Sequence, residues 1–336
     1  MSQSKLLAVT LSALLISSSV ASANEISTCL DVDCPIQDGT TSANCQVANQ
    51  TLIVVGVSSF SVPIPGQDED LELTWTVGGR SYEDVEPEDG DRYIERVYYL
   101  GTSPSVDLKA DDLAYDGCAF YLTGPENENL FYKNSATPSF ESYCRDSLKE
   151  ECVSALNDKL SSLAGEQTLD SSGSDICSEI ASGLQSDIPS SCSSLNDAVV
   201  RGVALTGPSA AEPLTESQNS TSNCYPTLPK SNELTRQFSY NITTTMNVTD
   251  TASAIEGETP VLSMFWSNEG EEDASIESPS IQLSCLRPVD ETTASNSTMS
   301  GDGGDDESGA IPMNGAANIF GATVAAGIVV LSTWLI

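Results

Sequence analysis

Histidine is absent from all 336 residues. Its absence removes Ser-His-Asp and Cys-His nucleophilic machinery, His-ligated zinc or haem, and an imidazole pH switch. Positive charge is scarce too: 13 Lys+Arg face 49 Asp+Glu, a formal net charge of −36. A polyanion of that strength repels phosphate, so no nucleic-acid partner is expected. Aromatics make up only 6% of the chain. Few rings are left over from a core to stack on a ligand. No residue pattern selects a cofactor, and none is expected.

The two ends read as addresses. Residues 1–23 run from Lys5 through an apolar stretch to small residues at Ala21 and Ala23. That order is a secretory signal peptide, with cleavage expected before Asn24. The last 18 residues, IFGATVAAGIVVLSTWLI, carry no charge, and the last basic residue before them is Arg287. A membrane span normally leaves a basic cytoplasmic flank. Small residues at Asn314-Gly315-Ala316 instead fit attachment of a glycosylphosphatidylinositol (GPI) anchor, with 315–336 removed as a propeptide. Ser308-Gly309-Ala310 is the alternative site. Asn314 is preferred because Gly315, Ala316 and Ala317 follow it without a break. Five N-x-[ST] sequons, at Asn49, Asn219, Asn241, Asn247 and Asn296, agree with a secretory route.

Between the ends, 24–288 reads as a disulfide-rich ectodomain, mainly β with an α insert. Residues 24–137 are mostly strand. In 71–77 Leu71, Leu73, Trp75 and Val77 alternate inward while Glu72, Thr74 and Thr76 face water. TLIVVGV at 51–57 is apolar on both faces and suits a central strand. Residues 92–100 and 118–123 are further strands, rich in aromatic and β-branched side chains.

In 138–205 the period changes. Cys144, Leu148, Cys152, Leu156 and Leu160 fall four apart, which predicts a helix over 140–164 closed by Gly165. Ile176, Cys177, Ile180 and Leu184 predict a second helix over 174–186, stopped by Pro189. Residues 206–230 read as a polar linker. Strands return in 231–288. Phe238, Tyr240, Ile242, Thr244, Met246 and Val248 share one face, and the sequon residues Asn241 and Asn247 share the other. Residues 261–266 and 280–286 complete the set. The expected fold is an antiparallel β-sandwich, Ig-like or jelly-roll-like, with a disulfide-stapled helical hairpin inserted or appended. Residues 289–314 are Ser/Thr/Gly/Asp-rich without apolar periodicity, a disordered acidic stalk before the anchor.

Ten cysteines, an even count, suit an oxidising compartment and five disulfides, although on the order of a thousand pairings exist. Cys29, Cys34, Cys45 and Cys118 suggest an N-terminal group. Cys144–Cys192 and Cys152–Cys177 suggest a nested staple, and Cys224–Cys285 a C-terminal link.

Chemistry is harder to place. Acidic clusters at Asp68-Glu69-Asp70, 83–91, Asp111-Asp112 and Glu271-Glu272-Asp273 offer oxygen ligands, but none fits the EF-hand template. A solvated acidic face is the plainer reading, and no metal site is assigned. A surface glycoside hydrolase or transglycosylase using paired carboxylates needs no histidine, yet nothing selects two acids from 49. Catalytic and ligand-binding residues are thus left unassigned. Trp75, Tyr93, Tyr98, Tyr99, Tyr240 and Trp266 are candidates to line a sugar site, against the competing demand of core packing. Tyr98 and Tyr99 adjoin in one strand, so one of them is expected to face outward.

The signal peptide, sequons, cysteines, Ser/Thr-rich stalk and NGAAN…LSTWLI terminus resemble the GPI-anchored surface glycoproteins of filamentous fungi. The resemblance covers the ends and the composition, not the central domain. It implies an extracellular protein on the outer leaflet or in the cell wall, held by its lipid. A non-enzymatic wall or contact role is expected, with cell-wall polysaccharide as a partner in its carbohydrate-binding or adhesive form.

Overall fold

The computed structural model describes residues 45–63, 70–81, 92–102, 106–110, 112–125, 130–131, 143–167, 173–227, 233–244, 254–255, 257–268, 276 and 278–288. The chain divides into two units, Met1–Met299 and Ser300–Ile336. The second lies wholly outside the described residues. So do the signal peptide, Cys29, Cys34, Asn247, Asn296, Ser308, Asn314, the stalk and most of the acidic clusters.

The first unit is mainly β and sandwich-like, with antiparallel pairing throughout its sheets. One sheet has the order β3-β4-β5-β8, formed by β3 (Val54–Val62), β4 (Leu71–Ser81), β5 (Arg92–Thr102) and β8 (Leu234–Thr244). The other has the order β10-β9-β6-β7, formed by β6 (Tyr115–Thr123), β7 (Val199–Ala204), β9 (Thr259–Ser267) and β10 (Ser280–Leu286). A hairpin of β1 (Cys45–Val47) and β2 (Gln50–Leu52) stands apart. Its turn residues Ala48 and Asn49 have φ of 52° and 64°. Positive φ at both central positions matches the twist of the flanking strands, and asparagine tolerates it.

Side-chain alternation sorts each central strand between two cores. Ala119 and Tyr121 of β6, with Val261 and Phe265 of β9, meet Leu73, Trp75, Val77 and Tyr98 between the sheets. The opposite faces of the same two strands carry Phe120, Leu122, Leu262 and Trp266. These pack under helices α1 (Tyr143–Ala164) and α2 (Gly173–Ser186). All five members of the expected α1 stripe are at most 1% exposed. Each buried leucine contributes about 1.5–3 kcal/mol. The helix is interrupted at Lys149, whose φ is 32° and ψ 155°.

A third core overturns the expectation for the other sheet's outer face. Val55, Val57, Val97 and Tyr99 are covered by the β1–β2 hairpin and by Cys224. Thr74 and Thr76, expected in water, are therefore buried, and the Thr76 hydroxyl donates to the Pro226 carbonyl. Tyr98 and Tyr99 are both 0% exposed because both faces of β5 are covered. The same cover explains why β3 is apolar on both faces although it is an edge strand, not a central one.

Four disulfides fix these layers: Cys45–Cys224, Cys118–Cys177, Cys144–Cys285 and Cys152–Cys192. The nested staple, the Cys224–Cys285 link and the grouping of Cys45 and Cys118 with the N-terminal cysteines are replaced by bridges from helix to sheet and from hairpin to loop. The two helices cross-link to the strands they cover, not to each other. Only Cys152–Cys192 stays within 138–205. The end of that span, read as part of the helical insert, is the strand Val199–Ala204. Residues 206–227, read as linker, form a strap instead. It contains a helical turn α3 (Glu216–Asn219), a bridge from Pro213 to Thr235, and a 3.0 Å bond from the Asn223 N–H to the Gln46 carbonyl.

Candidate functional site

A sandwich of two open sheets has two seams. One is shut: a Cβ added at Gly56 of β3 would lie 1.9 Å from the Arg287 carbonyl that follows β10. At the other seam β7 and β8 are the edge strands. There the structure holds a cleft of about 290 Å³, lined from α2 by Ser178, from β7 by Gly202 and Ala204, from the strap by Ser209 and Ala211, and from β8 by Gln237.

Local chain geometry puts Gln237 there. Tyr98 pairs with Phe238, but Tyr99 pairs with Arg236, so Gln237 is the extra residue of a β-bulge. Both neighbours are anchored. The Arg236 guanidinium donates to Glu95 at 2.6 Å and to the Ser239 hydroxyl at 2.8 Å. Phe238 stacks on Tyr121 with ring centroids 4.4 Å apart. Gln237 is 9% exposed, and neither atom of its carboxamide has a hydrogen-bond partner. An unpaired buried polar group costs about 1–3 kcal/mol, and such groups are uncommon in folded proteins.

The edge of β7 has a readable polarity. Gln185 of α2 donates from Nε2 to the Ala198 carbonyl at 2.8 Å and accepts from the Val200 N–H at 2.7 Å. It bonds the strand from the side away from β6. By two-residue alternation Gly202 and Ala204 present their peptide groups to that same outer edge. Leu205, of opposite parity, donates from its N–H to the Gly117 carbonyl of β6 at 2.8 Å. Glycine is required at 202, since a Cβ would come within 2.2 Å of the Cys177 carbonyl. The cleft thus offers a carboxamide, strand-edge peptide groups, the hydroxyls of Ser178 and Ser209, and alanine methyls. Its lining holds no charged side chain and no ring.

The six aromatic candidates do not assemble. Trp75, Tyr98 and Tyr240 lie between the sheets, Trp266 under the helices and Tyr99 under the hairpin. Tyr93 alone of the six reaches the surface, at 36% exposure. The Trp75 indole N–H donates to Ser263 at 3.0 Å, as a core tryptophan needs. Burial pushes the Tyr99 phenol up to about 12 and those of Tyr121 and Tyr240 well above the ordinary value.

Among the described residues one group gathers metal-ligating types, Cys144, Glu258 and Cys285. Its two sulfurs are joined to each other, so no thiolate remains for an ion, and Glu258 is taken up by the Cys144 N–H at 2.6 Å. Of the sequon residues, Asn49 and Asn241 are exposed and Asn219 is half-buried. Asn241 stands opposite Glu95, between buried Tyr240 and Ile242, as the strand parity requires.

The bulge explains why sequence reasoning missed the cleft. Gln237 falls on the polar parity of its strand, so only the register shift reveals that it is buried. No family model, curated protein or solved structure matches the chain. Several disulfides fit an extracellular protein, and no helix among the described residues is long and apolar enough to cross a membrane.

Proposed function

We propose that this chain is a secreted cell-surface glycoprotein, tethered by a GPI lipid at Asn314 or Ser308, that acts by binding rather than by catalysis. The observation that carries the reading is the set of four disulfides, which join segments up to 179 residues apart. Cross-links of that kind form and persist in oxidising compartments. The exposed sequon residues Asn49 and Asn241, and the leader and tail expected from the sequence, point the same way. The cleft at the β7–β8 seam supports binding of a neutral ligand such as a wall saccharide. It presents hydrogen-bonding groups but no carboxylate pair for glycosidic hydrolysis. Treatment of membranes carrying the full chain with a phosphatidylinositol-specific phospholipase tests the tether. Release of soluble protein is expected. Retention with the last 22 residues still attached would overturn the anchoring.

A further inference from the structure

We infer that the β7–β8 cleft is a binding site for the acetamido group of an N-acetylhexosamine, the sugar unit of acetylated wall polysaccharides. This rests on the surface-glycoprotein reading above and names the ligand class of its cleft.

Charge comes first. With no ionic side chain in the lining, a charged ligand would find no counter-ion beside the buried Gln237 carboxamide, and a neutral one is favoured. Stacking comes next. No ring lines the cleft, so a bare hexose finds no aromatic platform there. An acetamido group matches what is present. Its N–H and C=O complement the unpaired Gln237 carboxamide and the outward peptide groups of Gly202 and Ala204. Its methyl fits against Ala204 and Ala211. Gln185 shows the same pairing within the chain, one amide bonding both an N–H and a C=O of the β7 edge. The hydroxyls of Ser178 and Ser209, both exposed side chains at the mouth, are placed for the ring hydroxyls of the sugar.

An extended peptide has similar amide chemistry, but the edge is too short for it. Gln185 occupies Ala198 and Val200 on one side. Gly207, in the left-handed region at φ 73°, turns the chain away on the other. Two free residues suffice for one amide, not for an added strand. The volume of about 290 Å³ sits at the small end of ligand pockets, the size of a single ring.

The test is saturation-transfer NMR on the full secreted protein, with N-acetylglucosamine, its β1,4-linked dimer, cellobiose and N-acetylalanine methylamide as probes. Saturation is expected on the acetyl methyl of both acetamido sugars, and not with cellobiose. The Gln237→Leu variant should weaken binding at least about tenfold without lowering the melting temperature, since an apolar isostere relieves an unpaired amide. A merely structural glutamine would lower it. Ser209→Trp, an exposed substitution at the mouth, should block binding as well. Absence of saturation with the acetamido sugars, stronger saturation of the peptide probe, or undiminished binding by Gln237→Leu would each overturn the assignment. Equal binding of cellobiose by both proteins would refute the cleft ligand yet leave a saccharide-binding surface protein. Silence from every saccharide would remove both, while the lipid tether stands or falls on the phospholipase result.

Discussion

Glu258 accepts a 2.6 Å hydrogen bond from the backbone N–H of Cys144 in the first turn of α1. The carboxylate is 3% exposed and comes from the residue just before β9. It satisfies one of the free N–H groups of a helix start, where negative charge is also favoured by the helix dipole. The bond holds α1 to the sheet beside the Cys144–Cys285 bridge. Glu258→Ala is expected to cost about 2–3 kcal/mol, the range for a bond to a charged group with its partner left buried. Glu258→Gln, which keeps an acceptor oxygen, should cost less. Urea unfolding under non-reducing conditions measures both, and an alanine variant as stable as the parent would refute the role.

Buried phenols set an alkaline limit. Tyr99, Tyr121 and Tyr240 hold their protons above the ordinary tyrosine value, chiefly because burial penalises the phenolate. A group with a raised folded pKa contributes fully below its unfolded value, and that contribution is lost as pH rises through the folded one. Stability should therefore hold to about pH 10 and fall above it. Ultraviolet titration should show tyrosines that ionise only together with unfolding. Smooth ionisation of all ten in the folded state would contradict the burial.

Asp116 gives the opposite end of the scale. Burial raises its carboxyl above the usual range, against hydrogen bonds from Thr206 and Asn268 that favour the charged form. The folded state thus binds this proton more tightly than the unfolded chain, and the site costs stability as pH rises through its folded pKa. Asp116→Asn keeps an oxygen for the Thr206 hydroxyl, now 3.1 Å away. It should flatten that part of the stability profile and leave the protein at least as stable at pH 7. Melting temperatures from pH 3 to 8 decide it; a variant with the parental slope would exclude Asp116 as the source.

The hairpin over Tyr99 depends on Cys45–Cys224. Removing both sulfurs by Cys45→Ser with Cys224→Ser is expected to lower stability by about 3–5 kcal/mol, given the long loop that the bridge closes. Hydrogen exchange should rise first in β1, β2 and the strap, before the sandwich core opens. Uniform loss of protection would show that the hairpin is not a separable layer.

Much of this architecture was legible in local pattern. The four-residue stripe marked α1, the parity of Leu71, Leu73, Trp75 and Val77 marked an inward face, and 280–286 coincides with β10. Periodicity reports which residues avoid water, not what shields them. So the pattern points Thr74, Thr76 and one of the Tyr98–Tyr99 pair to solvent that a distant hairpin displaces. Disulfide partners were illegible for a related reason: three of the four bridges join different supersecondary units, such as helix to sheet, and spacing carries no record of that. The cleft was less visible still. It depends on a register shift, a free sheet edge and an absent partner for one amide, none of which a single strand's sequence expresses.

A non-reducing peptide map of the native protein by mass spectrometry tests whether the chain is lipid-tethered and matured in an oxidising compartment. The expected map contains the cross-linked pairs Cys45–Cys224, Cys118–Cys177, Cys144–Cys285 and Cys152–Cys192, glycans on Asn49 and Asn241, and a last peptide ending at Asn314 or Ser308 with the glycolipid remnant. Free thiols at these eight positions, bare asparagines and a polypeptide continuing to Ile336 would contradict it.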